Sequence, residues 1–190
     1  MIKVFRELFT PETHEELNRV FEWELNWLHS NTSEENDGQK FWYANGGDHA
    51  FISESIREAI TPILTRELAT KDIRFDRFYC NGQSFGEDGS PHSDYPDDYM
   101  YGLLYFPMME WEKEWGGEFL IYDENEDIMF SWWPRANSAI LFNSNLKHVG
   151  KAPVKSCLRI RYSLAVAINT KPEEEVEEEV QGDDDNGSDN

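Results

Sequence analysis

Basic residues are scarce in this chain: 17 Lys and Arg stand against 38 Asp and Glu in 190 residues, a formal net charge of −21. Ten of the acids and one Lys fall in residues 171–190, so that stretch carries −9 and the remaining residues −12. A surface of this sign repels phosphate backbones and anionic headgroups, which argues against nucleic-acid and membrane partners. Long apolar runs are also missing; none approaches the roughly 18 residues that a membrane-spanning helix needs. The opening MIKVFRELFTPE has no signal-type apolar stretch. Cysteine is limited to Cys80 and Cys157, with no CxxC spacing and too few residues for a disulfide framework. The expectation is a cytoplasmic protein whose two free thiols are small core residues.

What is present suffices for a packed core, with 39% hydrophobic and 14% aromatic residues. One domain is expected over residues 1–170, with helical support at about 8–70 and a strand-rich core at about 72–168. The acidic stretch 171–190 has almost nothing to bury and is expected to be disordered. Thr10-Pro11-Glu12 reads as a helix start: a capping hydroxyl, Pro in the first turn, then an acid near the positive dipole end. Leu17, Val20, Phe21, Trp27 and Leu28 follow at helical spacing. A loop is expected from Asn31 to Gly38, and a second helix from Ser53 to about Leu68, with Pro62 as a kink site. The stretch from Phe41 to Gly47 suits a loop over a site and a buried strand edge equally well.

From Asp72 the apolar period changes to two. Strands are expected at Ile73–Cys80, Tyr99–Phe106, Glu118–Tyr122, Ile128–Trp133, Ser138–Phe142 and Leu158–Ile168. Helices first and antiparallel strands afterwards indicate an α+β fold in which the helices buttress a sandwich or barrel.

His92-Ser93-Asp94, with His148 later in the chain, is the strongest chemical constellation. Residues i and i+2 of an extended segment face one way, so His92 and Asp94 can share a metal that His148 completes. Two His and one carboxylate on one face leave three coordination positions open, the facial triad of non-haem Fe(II) oxygenases. An HxD pair alone is a weak signal that chance often supplies. The final strand adds weight. One of its faces carries Leu158, Ile160, Tyr162, Leu164, Val166 and Ile168, and the other Arg159, Arg161, Ser163, Ala165 and Ala167. Arg and Ser are also ordinary on a solvent-facing sheet. Beside a metal triad, however, a guanidinium, a hydroxyl and two small side chains describe a pocket floor for a carboxylate.

The run from Arg77 through Asp94, RFYCNGQSFGEDGSPHSD, resembles the segment through the metal motif of prolyl 4-hydroxylase-like Fe(II)/2-oxoglutarate oxygenases. Similar motifs follow in order: Leu103 to Pro107, Trp115 to Leu120, Ala139 to Asn143, His148 to Val154, and Arg161-Tyr162-Ser163. The resemblance implies a double-stranded β-helix, or jelly roll, supported by N-terminal helices. It implies His92, Asp94 and His148 as iron ligands and Arg161 as the anchor of the distal carboxylate of 2-oxoglutarate, with Ser163 beside it. Arg159 faces the same way, and Arg161 is preferred because Tyr162-Ser163 follows it as in the family. Tyr79 and Tyr105 match tyrosines that line the cosubstrate pocket. The implied activity is hydroxylation of a prolyl residue in a peptide or protein, with dioxygen consumed, succinate and CO2 released, and ascorbate as a candidate reductant. A free amino acid or other small-molecule substrate is the alternative within the fold, and a non-redox jelly-roll metal-binding or interaction protein the alternative outside it.

Overall fold

The structure is a computed structural model of the chain, and it describes residues 1–33 and 38–172. The middle of the expected Asn31–Gly38 loop, and the acidic stretch beyond Pro172, lie outside the described residues.

Strand β1 (Ile2–Phe5) precedes helix α1 (Pro11–Trp23). The Thr10 side chain accepts from the Thr13 amide at 3.3 Å and Pro11 fills the first turn, as the sequence signature requires. Two short strands follow, β2 (Leu28–Asn31) and β3 (Phe41–Asn45), so the Phe41 stretch is a strand. Helix α2 (Ala50–Leu68) starts three residues earlier than expected and runs on through Pro62 as one element. Then come β4 (Arg74–Gln83), β5 (Met100–Phe106), β6 (Phe119–Tyr122), β7 (Ile128–Trp132), β8 (Ser138–Asn143), β9 (His148–Gly150) and β10 (Arg161–Asn169). Among the described residues, no helix is long and apolar enough to cross a membrane.

Seven strands form an antiparallel sheet in the order β1-β8-β5-β10-β4-β3-β2, and three form a smaller sheet in the order β7-β6-β9. The α1 residues Leu17, Val20 and Phe21 and the α2 residues Ile52, Ile56, Ile60 and Leu64 are buried against one face of the large sheet, on Cys80, Leu103, Leu141, Leu164, Val166 and Ile168. The small sheet covers the opposite face, where Phe119 and Ile121 meet Leu104, Phe106, Ile140 and Phe142. This is the expected jelly-roll arrangement of two facing sheets with helical support. The two free cysteines are both buried, as small core residues.

The final strand begins at Arg161 rather than Leu158. The chain turns at Val154–Cys157, where the Cys157 amide donates to the Val154 carbonyl, and it reaches the sheet only afterwards. Leu158 is therefore 95% exposed and Ile160 37% exposed instead of packed in the core. Trp111, beside a charged loop, is buried, and its indole N–H donates to the Gly116 carbonyl at 2.8 Å.

Candidate functional site

The HxD segment is stitched to β9 by the main chain. The His92 amide donates to the His148 carbonyl at 3.0 Å and the His148 amide returns a bond to the His92 carbonyl at 2.8 Å. The Asp94 amide donates to the Ser144 carbonyl at 3.1 Å. Directly paired residues of an antiparallel ladder project their side chains to the same side. His92 and His148 therefore face one another, and Asp94, two residues on, joins them. One nitrogen or oxygen from each of the three lies within 4.8 Å of the others. His92 Nε2 is 3.9 Å from Asp94 Oδ1, and His148 Nε2 is 3.7 Å from Asp94 Oδ2.

Both imidazoles are oriented from behind. His92 Nδ1 sits 2.8 Å from the Ser90 carbonyl, and His148 Nδ1 sits 2.8 Å from the Leu146 carbonyl. A carbonyl can only accept, so each Nδ1 carries a proton, and each Nε2 is the ring atom left directed toward Asp94. Burial pushes the His148 pKa down against the pull of the Asp94 charge, which favours the neutral ring that a metal needs.

These groups open onto a cavity of about 140 Å³ between the two sheets. Alternation on β4 and β10 supplies its floor. Ser163 pairs with Asn81, Ala165 with Tyr79 and Arg161 with Gln83, and all six residues line the space. Arg161 is fully buried. Its Nε donates to the Gly117 carbonyl at 2.7 Å, and its Nη1 to Gln83 Oε1 at 2.9 Å and Ser163 Oγ at 3.3 Å. Its Nη2 is buried without a partner. Burial lowers its pKa to about 10, opposed by the charge of Glu118. Every hydrogen-bond partner of this guanidinium is neutral, so it is a buried cation with an unpartnered Nη2 in the lining of a cavity.

Arg159 stands outside: it precedes β10, is exposed, and pairs with Glu110 at 3.2 Å. Tyr79 lines the cavity, edge-on to Tyr43 at 4.9 Å between ring centroids. Tyr105 does not, and its expected place in the cosubstrate pocket is corrected here. On β5 it alternates with Leu104, which takes the cavity side, and its ring turns to the helices. There its hydroxyl meets His14 Nδ1 at 2.6 Å. Neither Trp132 nor Trp133 reaches the cavity; Arg135 lies over both rings, on the small-sheet side. Arg77, Asn81 and Gln83 are cavity residues that sequence reasoning missed. The i, i+2 spacing of Arg77, Tyr79, Asn81 and Gln83 on one strand was the available signal.

In sequence, a model of the 2OG-Fe(II) oxygenase superfamily matches residues 77–169, from β4 to the end of β10, and so contains the triad and Arg161. That match assigns residues 77–169, the part that carries the site, to the 2OG-Fe(II) oxygenase superfamily. No curated protein matches this oxygenase in sequence. Solved structures share its fold. A Trichoplax adhaerens prolyl hydroxylase in complex with a hypoxia inducible factor oxygen degradation domain peptide fragment superposes with a TM-score of 0.69 at 13% identity, over 89% of this chain and 83% of that one. A Pseudomonas putida prolyl-4-hydroxylase gives 0.54 at 14% identity, over 90% and 93%. The non-heme alpha ketoglutarate-dependent epimerase SnoN of nogalamycin biosynthesis gives 0.64 at 11% identity, over 88% and 76%.

The family implies Fe(II), 2-oxoglutarate and dioxygen, and the residues of this oxygenase fit them. Two imidazole nitrogens and a carboxylate suit a divalent metal of the iron type. The unpartnered Nη2 of a buried guanidinium suits a carboxylate, which accepts from Arg in a planar fork.

Proposed function

We propose that His92, Asp94 and His148 hold Fe(II), that Arg161 with Ser163 receives the distal carboxylate of 2-oxoglutarate, and that the substrate is a prolyl residue of a peptide or protein. The observation that carries the reading is the pairing in one cavity of a one-sided His-Asp-His set with a buried cation that has a free donor. When bound, the iron and 2-oxoglutarate supply the oxidising chemistry, with release of succinate and CO2.

The protein's own residues do the positioning. The Ser90 and Leu146 carbonyls fix the two imidazoles. Gln83 and Ser163 hold the Arg161 fork in plane so that little ordering remains on binding. Tyr79 stands between Arg77 and Asn81 on the same face of β4, along the floor. Leu104 and Phe142 from the same sheet and Phe119 from the small sheet give the cavity its apolar lining, which disfavours water.

The prolyl assignment is supported by the two prolyl hydroxylases that share the fold. The rings of Tyr79 and Phe41 in the cavity wall also suit the apolar face of a pyrrolidine. The net charge of −12 outside residues 171–190 disfavours a nucleic-acid substrate. The test is incubation with iron, 2-oxoglutarate and ascorbate against proline-containing peptides and methylated single-stranded oligonucleotides, read as succinate and +16 Da products. Prolyl oxidation is expected. Oxidation of the oligonucleotides alone would overturn the substrate, and absence of succinate with every substrate would favour a binding protein.

A further inference from the structure

Arg77 projects from β4 into the same cavity, at the end away from Arg161. Its Nη2 donates to Asp94 Oδ1 at 2.9 Å. Its guanidinium carbon lies 4.6 Å from the Tyr79 ring centroid and 5.7 Å from that of Tyr95, so two aromatic faces hold its plane. Its Nε is buried and has no partner.

The charges of the cavity do not balance without a further anion. Among the described residues that line it, Arg77 and Arg161 are positive and Asp94 is negative, and the two imidazoles count as neutral once they ligate a metal. A divalent metal and a dianionic cosubstrate cancel one another. One positive charge is left, and it resides on Arg77, because Asp94 then shares its charge with the metal. A partly buried cation with a free donor calls for an anion. That anion must lie close to the reacting carbon, since Arg77 touches a residue of the metal set.

We propose that Arg77 receives the α-carboxylate of the substrate, so that the oxidised residue is a free amino acid or the C-terminal residue of a peptide rather than an internal one. This rests on the assignment of His92, Asp94 and His148 to the metal and narrows the prolyl reading. An internal residue offers a neutral amide at that place. A carboxylate accepts from Nε and is held as a charge-assisted pair.

The full chain is loaded with manganese(II) and 2-oxoglutarate without oxygen, and calorimetry measures binding of the twenty N-acetyl amino acids, each as free acid and as amide. Acetyl-glycyl-proline and free proline distinguish the peptide terminus from the amino acid. The tightest binders are expected to be acids, each exceeding its amide by about 30-fold. Arg77→Met should reduce that ratio to about threefold or less, while Arg77→Lys, which keeps the charge but not the fork, retains part of it. Manganese affinity in the same variants separates a lost anion site from a misplaced Asp94. Equal binding of acid and amide by the wild type, a ratio that survives Arg77→Met, or no binding by any acid would overturn the proposal. A tightest acid other than proline would instead overturn the prolyl reading and leave Arg77 standing. Failure of the wild type to bind manganese would remove the metal assignment itself.

Discussion

On one face of β10, Leu164, Val166 and Ile168 are sealed against α1 and α2; on the other, one residue out of step, Arg161, Ser163 and Ala165 line the cavity. The same nine-residue strand thus carries fully buried apolar side chains on one face and a fully buried guanidinium on the other. The helix-facing side gains from every buried methylene and tolerates no vacancy. The cavity side is stocked with small side chains and a cation whose neutral partners leave one donor free. A strand fixed by dry packing on one side therefore becomes a rigid mount for a ligand on the other. His14 and His148 repeat the contrast in imidazoles. The first is buried against Tyr105 in the helix layer, and the second turns its Nε2 to Asp94.

If the cavity face serves ligands alone, substitutions there should separate function from stability. The largest effect is expected for His92→Ala, Asp94→Ala and His148→Ala, each losing iron-dependent succinate formation and calorimetric manganese binding while circular dichroism and the melting transition persist. Wild-type turnover in any one of them would remove that residue from the metal set. The converse substitution, Leu164→Ala on the dry face, should cost about 2–5 kcal/mol in urea unfolding and leave the 2-oxoglutarate Kd of the folded fraction within about threefold. A large Kd change with unaltered stability would erase the distinction between the faces.

Arg161→Ala should weaken 2-oxoglutarate binding by about 30- to 1,000-fold, corresponding to about 2–4 kcal/mol for a desolvated charge-assisted contact, whereas Arg159→Ala should change it by about threefold or less. The reverse order would move the anchor to the outer arginine. The smallest effect sharpens the comparison of imidazoles. Burial holds the folded His14 pKa below its ordinary value, so the unfolded chain binds its proton first as pH falls. The stability this neutral ring contributes is complete above about pH 6.5 and is lost as pH drops through the folded pKa. Metal-free His148 adds a decline of the same sign. Urea midpoints at successive pH values should fall below neutrality, and more shallowly in His14→Gln; a wild-type midpoint that rises on acidification would contradict both.

Much of this was legible in the sequence because it depends on local period. The Thr10-Pro11 start, the apolar stripe of α1, the strands from β4 to β8 and the one-sided His92-Asp94 pair all follow from residue spacing. What was not legible depends on partners far along the chain. β1 is four residues long and becomes a strand only through its pairing with β8. Leu158 and Ile160 continue the alternation of β10 on paper, yet the turn before them keeps both outside the sheet. Tyr105 matched a family tyrosine by neighbouring motif, but strand parity assigns it to the helix layer. Arg77 reads as one arginine among many until the fold brings Asp94 to its Nη2.

The position of β10 in the sheet has a consequence for how the molecule comes into being. It is the last strand among the described residues and lies in the middle of the large sheet, joining β1, β8 and β5 on one side to β4, β3 and β2 on the other. During synthesis, neither half of the sheet has its inner neighbour until residues 161–169 leave the ribosome. Folding is accordingly dominated by non-local pairings, which places it among slow, millisecond-to-second processes and leaves two open strand edges, β4 and β5, exposed in the nascent chain. The β10 side of the cavity floor is made after its β4 side, so the site is complete only once β10 has paired between β5 and β4.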